Sequence, residues 1–107
     1  TEIGQLAKAW VNFNGTGTVA IRDDFNVSSI TDNGTGDYTI NFSTAMPNAN
    51  YCAAGNASQD VSSVGFFDSL CFFSYATGSI RVETFGDPDN PNTETDLNIV
   101  CGAIFSS

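Results

Sequence analysis

At 107 residues the chain has the length of one domain, enough to bury a core but with a thin margin. Twelve acidic residues against three basic ones (Lys8, Arg22 and Arg81) leave a net charge of −9, and there is no histidine. Nucleic acid and anionic membrane surfaces are therefore poor partners, histidine-based nucleophilic catalysis and His-ligated zinc are removed, and cations, cationic patches and neutral sugars stay open. No apolar run approaches the roughly 20 residues of a membrane-spanning helix, so no membrane insertion is expected.

Leu6–Phe13 (LAKAWVNF) is predicted as a strand with Ala7, Ala9, Val11 and Phe13 on one face and Leu6, Lys8, Trp10 and Asn12 on the other. Both faces carry a large apolar residue, which predicts cover on both sides. Asn14–Gly17 (NGTG) is a turn, Thr18–Arg22 a short strand, and Asp23-Asp24 its polar end. In Phe25–Thr31, Phe25 and Val27 share a phase that Ile30 breaks, and a bulge near Ser28-Ser29 would restore it.

Asp32–Asp37 repeats the NGTG wording as a hairpin loop with two glycines free to take positive φ. Asp37–Ser43 is the cleanest strand, with Tyr38, Ile40 and Phe42 facing inward. Pro47 centres a turn, and Tyr51–Ala57 is a weak strand. Val64–Tyr75 is the most apolar stretch, and its two Phe-Phe pairs put a ring on each face of a strand. Ser79–Phe85 alternates Ile80, Val82 and Thr84 against Arg81, Glu83 and Phe85. Gly86–Asp96 is a long polar loop with two prolines, and Leu97–Phe105 is a final, largely buried strand. Roughly eight strands with turns at short intervals predict an antiparallel β-sandwich of jelly-roll type, as one domain.

The block WVNFNGTG…VSSITDNGTGDYTINF…TAMPNANY, Trp10 to Tyr51, resembles a module of tailed-bacteriophage virion proteins found mostly near the C-terminal ends of tail fibres. The resemblance covers about the first half of the chain; from Cys52 onward the sequence matches nothing familiar. It implies the distal domain of a tail fibre or related receptor-binding protein, located in the virion and assembled in the bacterial cytoplasm. It also implies a homotrimer among other virion proteins, and a host-surface glycan or outer-membrane protein as receptor. The chain begins at Thr1 without Met or a signal-peptide pattern and reads as a C-terminal piece of a longer protein. Two other readings remain open. One is a structural virion protein, as capsid decoration, head fibre or trimerisation cap. The other is a carbohydrate-binding module attached to an enzyme.

The resemblance carries no receptor residues, so candidates come from residue type and position. Tyr51 and Tyr75 lie near strand ends, where a flat ring can stack on a sugar. Trp10 and Tyr38 lie within alternating strands, where burial is the default. In the 86–96 loop, Asp87, Asp89, Asn90 and Asn92 are the contact candidates, since loops on a rigid scaffold carry recognition. Asp87, Asp89, Asn90, Glu94 and Asp96 could supply oxygen ligands to Ca²⁺, but they do not match the EF-hand pattern, and solvated carboxylates are the simpler reading. Of Asp23, Asp24, Asp60, Asp68 and Glu83, nothing selects a pair for glycoside hydrolysis. No catalytic residue, metal or cofactor is expected. Asn14, Asn26, Asn33, Asn41 and Asn56 begin N-x-[ST] sequons, which the richness in Asn, Ser and Thr explains. Cys52, Cys71 and Cys101 are an odd number at unrelated spacings among small or apolar neighbours; buried free thiols are expected, with one disulfide plus a free thiol as the other possibility.

Overall fold

The computed structural model describes residues 6–59, 68–87, 89 and 92–106. Among them are eight strands: β1 (Ala7–Asn14), β2 (Ala20–Phe25), β3 (Val27–Gly34), β4 (Asp37–Phe42), β5 (Cys52–Ser58), β6 (Ser69–Phe73), β7 (Ser79–Phe85) and β8 (Ile99–Phe105). They form two antiparallel sheets of four, in the orders β2-β1-β8-β5 and β3-β4-β7-β6. The fold is the expected β-sandwich, with the last strand returning beside the first.

The core comes from the four central strands, where the alternation is strictest. Ala9, Val11 and Phe13 of β1 and Val100 and Ile104 of β8 face Tyr38, Ile40 and Phe42 of β4 and Ile80 and Val82 of β7. Each large side chain fully buried there contributes about 1.5–3 kcal/mol. The Phe13 and Tyr38 rings meet edge to face at 5.2 Å, a geometry that suits the ring quadrupoles.

The expected bulge in β3 is present, as a register shift against β4 between Val27 and Ser29. The boundary before it differs from expectation. Phe25 ends β2, and Asp23 and Asp24 lie inside that strand rather than after it. Asn26 takes φ 58° between the strands, a conformation Asn tolerates better than most residues, and there the chain crosses from the first sheet to the second. The Asn26 side chain holds the corner. Its Nδ2 donates to Lys8 O at 3.1 Å and Thr44 O at 3.0 Å, while its Oδ1 accepts from Thr44 N at 2.7 Å.

The cysteines are free, but they are not buried as expected: Cys52 and Cys71 are exposed and Cys101 is half-buried. Each occupies an outward position of its strand, where its neighbours in sequence take the inward ones. Of the Phe-rich stretch, Phe66 and Phe67 lie outside the described residues. Phe72 packs against the core. Phe73 points outward and is covered by its own chain, with the Arg81 guanidinium 4.8 Å from the ring centre.

Candidate functional site

The antiparallel order sorts the connections to two ends of a body measuring 43 × 24 × 23 Å. The β1–β2 and β3–β4 turns and the described residues of the β7–β8 connection lie at one end, with the end of β5 and the start of β6. The β2–β3, β4–β5 and β6–β7 turns lie at the other, where Ala7 pairs with Phe105. The described chain thus enters and leaves the sandwich at one end and displays the β1–β2, β3–β4 and β7–β8 loops at the opposite one.

The loop end is built on the two NGTG turns. Asn14 Oδ1 accepts from Thr16 N at 2.9 Å and Thr16 Oγ1 at 2.6 Å, which shapes the first turn. Residues 94–97 of the β7–β8 loop tie it to the second. Gly15 N donates to Leu97 O at 3.0 Å, and Gly36 N to Asp96 Oδ1 at 2.7 Å. The Tyr38 hydroxyl lies 2.6 Å from Gly15 O and 2.8 Å from Asp96 Oδ1, sharing its proton between them. Burial, reinforced by the Asp96 carboxylate, pushes the Tyr38 phenol well above its usual range. Thr95 N donates to Thr84 O at 2.8 Å, and Thr84 Oγ1 to Thr95 O at 2.6 Å. One glycine of each turn, Gly15 and Gly36, is therefore required by close approach. A Cβ on Gly15 would sit 2.5 Å from the Tyr38 hydroxyl, and one on Gly36 2.6 Å from Thr95 N.

What projects beyond this knot is acidic. Asp89 and Asn92 are exposed and Asp87 is half-buried, with Asp89 N donating to Asp87 Oδ1 at 2.9 Å. Asn90 lies outside the described residues. Glu94 lies beside Glu83, and their hydrogen bond, more than burial or charge, raises the Glu83 carboxyl above its ordinary value. No group of three or more potential ligands placed to hold a metal ion occurs among the described residues.

The two tyrosine candidates lie at the opposite end from Asp87, Asp89 and Asn92, so the five described candidates do not form one site. Tyr51 is a correction to the expected exposed platform: it is 6% exposed, and its hydroxyl donates to Ala76 O at 2.8 Å, with Ser79 O at 3.1 Å. Tyr75, at 41%, is exposed and leans on the Tyr51 ring at 5.2 Å. Ser74 before it takes φ 52°, an uncommon conformation for a non-glycine residue.

Sequence reasoning missed the outer face of the first sheet. Trp10, expected to be buried, is 38% exposed, and Phe25 and Phe105 join it at 52% and 37%. The available signal was the second apolar phase of LAKAWVNF. It also missed the ordered polar face of the second sheet. There Arg81 pairs with Asp37 at 2.5 Å, and Asn41 Nδ2 donates to Ser29 Oγ at 3.1 Å and Thr31 Oγ1 at 2.9 Å.

No protein-family model, curated protein or solved structure matches this chain. No helix among the described residues is long and apolar enough to cross a membrane.

Proposed function

We propose that this chain is the distal domain of a tailed-phage fibre or related receptor-binding virion protein, binding a bacterial surface receptor through the loop end. The observation that carries the reading is the Trp10–Tyr51 block and its likeness to fibre-end modules. The geometry supports it. The described chain enters and leaves at the Ala7/Phe105 end, so in a fibre the β1–β2, β3–β4 and β7–β8 loops would face away from the shaft. Residues 94–97 are tied down while Asp89 and Asn92 stand exposed, so contact there would order little new chain. The receptor would be a neutral glycan or a cationic patch on an outer-membrane protein, because the loop end is dominated by carboxylates. Several copies per virion would turn weak single sites into firm attachment.

The test is binding of the labelled protein to a panel of bacterial strains and to a glycan array. A defined strain or glycan should be bound, and the triple variant Asp87→Ala, Asp89→Ala, Asn92→Ala should lose it while Tyr75→Ala keeps it. Failure to bind any cell or glycan overturns the receptor reading. A structural virion role is the second reading, favoured by the exposed apolar face of the first sheet.

A further inference from the structure

The outer face of the first sheet carries a row of side chains that runs across all four strands. Trp10 pairs with Phe25 on one side and Ala103 on the other, and Ala103 pairs with Ala54. Directly paired residues share a face, so the row reads Phe25, Trp10, Ala103, Ala54: two large rings on β2 and β1, then two methyl groups on β8 and β5. The next row toward the chain ends places Ala7, Phe105 and Cys52 side by side. In water such a surface is unusual on both counts, for its exposed aromatic rings and for its exposed thiol. The second sheet also exposes a thiol, at Cys71, but no row of aromatic rings among the described residues. The corresponding row there is Thr31, Thr39, Arg81 and Phe73, with its ring already covered.

We propose that this face is covered by a second copy of the same chain, with the ring half of one copy seated on the alanine half of the other. Two features select that occupant. The first is shape. The row holds knobs and holes on the same surface, so the large half of one copy complements the small half of the next. The sheet spacing of about 10 Å needs such interdigitation.

The second is charge. At −9, two copies repel wherever their carboxylates meet. The loop end and the outer face of the second sheet present Asp89, Glu94, Asp37 and Glu83. The two apolar rows hold no carboxylate. Lys8 borders them beside a groove of about 450 Å³ that Leu6 and Phe25 also line. Arg22 reaches over the adjoining row, donating to Asn12 Oδ1 at 3.2 Å and Asn98 Oδ1 at 2.6 Å, next to Asp23, which pairs with Asn12. Two of the chain's three cations thus lie on its least acidic face. The inference uses only this surface and does not rest on the receptor reading.

Trp10 is the sole tryptophan, so its emission reports on this face alone. The protein is examined by sedimentation velocity and tryptophan fluorescence over a concentration series. The expected result is a mass above the monomer, with a blue shift and reduced acrylamide quenching of Trp10 that follow the mass. Ala54→Arg, an exposed position that leaves the core intact, should return the protein to a monomer with exposed Trp10. Thr39→Arg, on the other sheet, should leave mass and emission unchanged. A wild-type monomer at its highest soluble concentration overturns the proposal and leaves the face to a different partner. So does an oligomer whose Trp10 emission stays that of an exposed indole, or one that Ala54→Arg does not dissociate. A monomer that still binds cells would sink this inference and keep the receptor reading.

Discussion

The Tyr38 hydroxyl and the Asp96 carboxylate, 58 residues apart in sequence, lie 2.8 Å from one another, and the same carboxylate oxygen accepts the Gly36 N–H. The contact joins a core strand to the β7–β8 loop and so decides where the candidate receptor loop begins. Asp96→Asn keeps an acceptor oxygen and should be mild. Asp96→Ala leaves the Gly36 N–H without its partner and the Tyr38 hydroxyl with Gly15 O alone, and should destabilise by about 1–3 kcal/mol, read as a lower urea midpoint with an unchanged slope.

The same pair predicts an alkaline limit. The Tyr38 phenol is raised in the folded state, so the folded protein holds that proton more tightly than the unfolded chain does. Its contribution is complete below the ordinary phenol value, about 10, and is lost as pH rises through the folded value. Thermal midpoints of the wild type should fall above about pH 10 more steeply than those of Tyr38→Phe.

The two glycines of the first turn should separate. Gly15→Ala drives a Cβ against the Tyr38 hydroxyl and against Leu97 O at 2.7 Å, and part of that obstacle is backbone. A loss of several kcal/mol is expected, on the order of the largest single-residue effects. Gly17 has φ 57° and open space around its Cβ position, so Gly17→Ala should cost only about 1 kcal/mol of backbone strain. Chemical denaturation of both variants checks the ranking.

Glu83 supplies a pH dependence of its own. Its hydrogen bond with Glu94 raises it above the ordinary 4.5. A raised carboxyl contributes stability that is complete below the unfolded value and is lost as pH rises through the folded value. Glu83→Gln should therefore melt higher than the wild type near neutral pH, with the gain shrinking as pH falls toward about 4. A gain that persists undiminished at acid pH would contradict this account.

The thiols divide by position. Burial raises the Cys101 thiol, and Arg22 opposes the shift only in part, so Cys101 should be the slowest toward a disulfide reagent. Cys71 should react readily at every protein concentration. Cys52, paired with Phe105 on the apolar face, should react readily in dilute protein and more slowly as concentration rises. Mass-resolved labelling distinguishes the three.

Period-2 alternation made the inward faces of β4 and β7 legible: Tyr38, Ile40 and Phe42, then Ile80, Val82 and Thr84, are all buried. It failed in β2, where Asp23 and Asp24 form strand rather than a strand's end. An edge strand solvates both of its faces, so polar residues there carry no boundary signal. It failed for the cysteines too, because apolar neighbours show that a strand is buried on one side without showing which side a given residue takes. The ligand candidates were chosen by type and position, and the sandwich put Tyr51 and Tyr75 at one end and Asp87, Asp89 and Asn92 at the other, since successive connections of an antiparallel fold alternate ends.

By itself the sequence determined the class of this protein: an acidic, histidine-free β-sandwich whose hairpins begin at NGTG turns. Those properties are local, set by side-chain alternation and by the backbone freedom of Gly and Asn. Tertiary structure alone decided that the two turns meet through Gly15, Tyr38 and Asp96, and that Trp10 shares an exposed row with Phe25, Ala103 and Ala54. Both depend on which strands become neighbours, and that is settled by burial of the whole core, which no window of sequence contains.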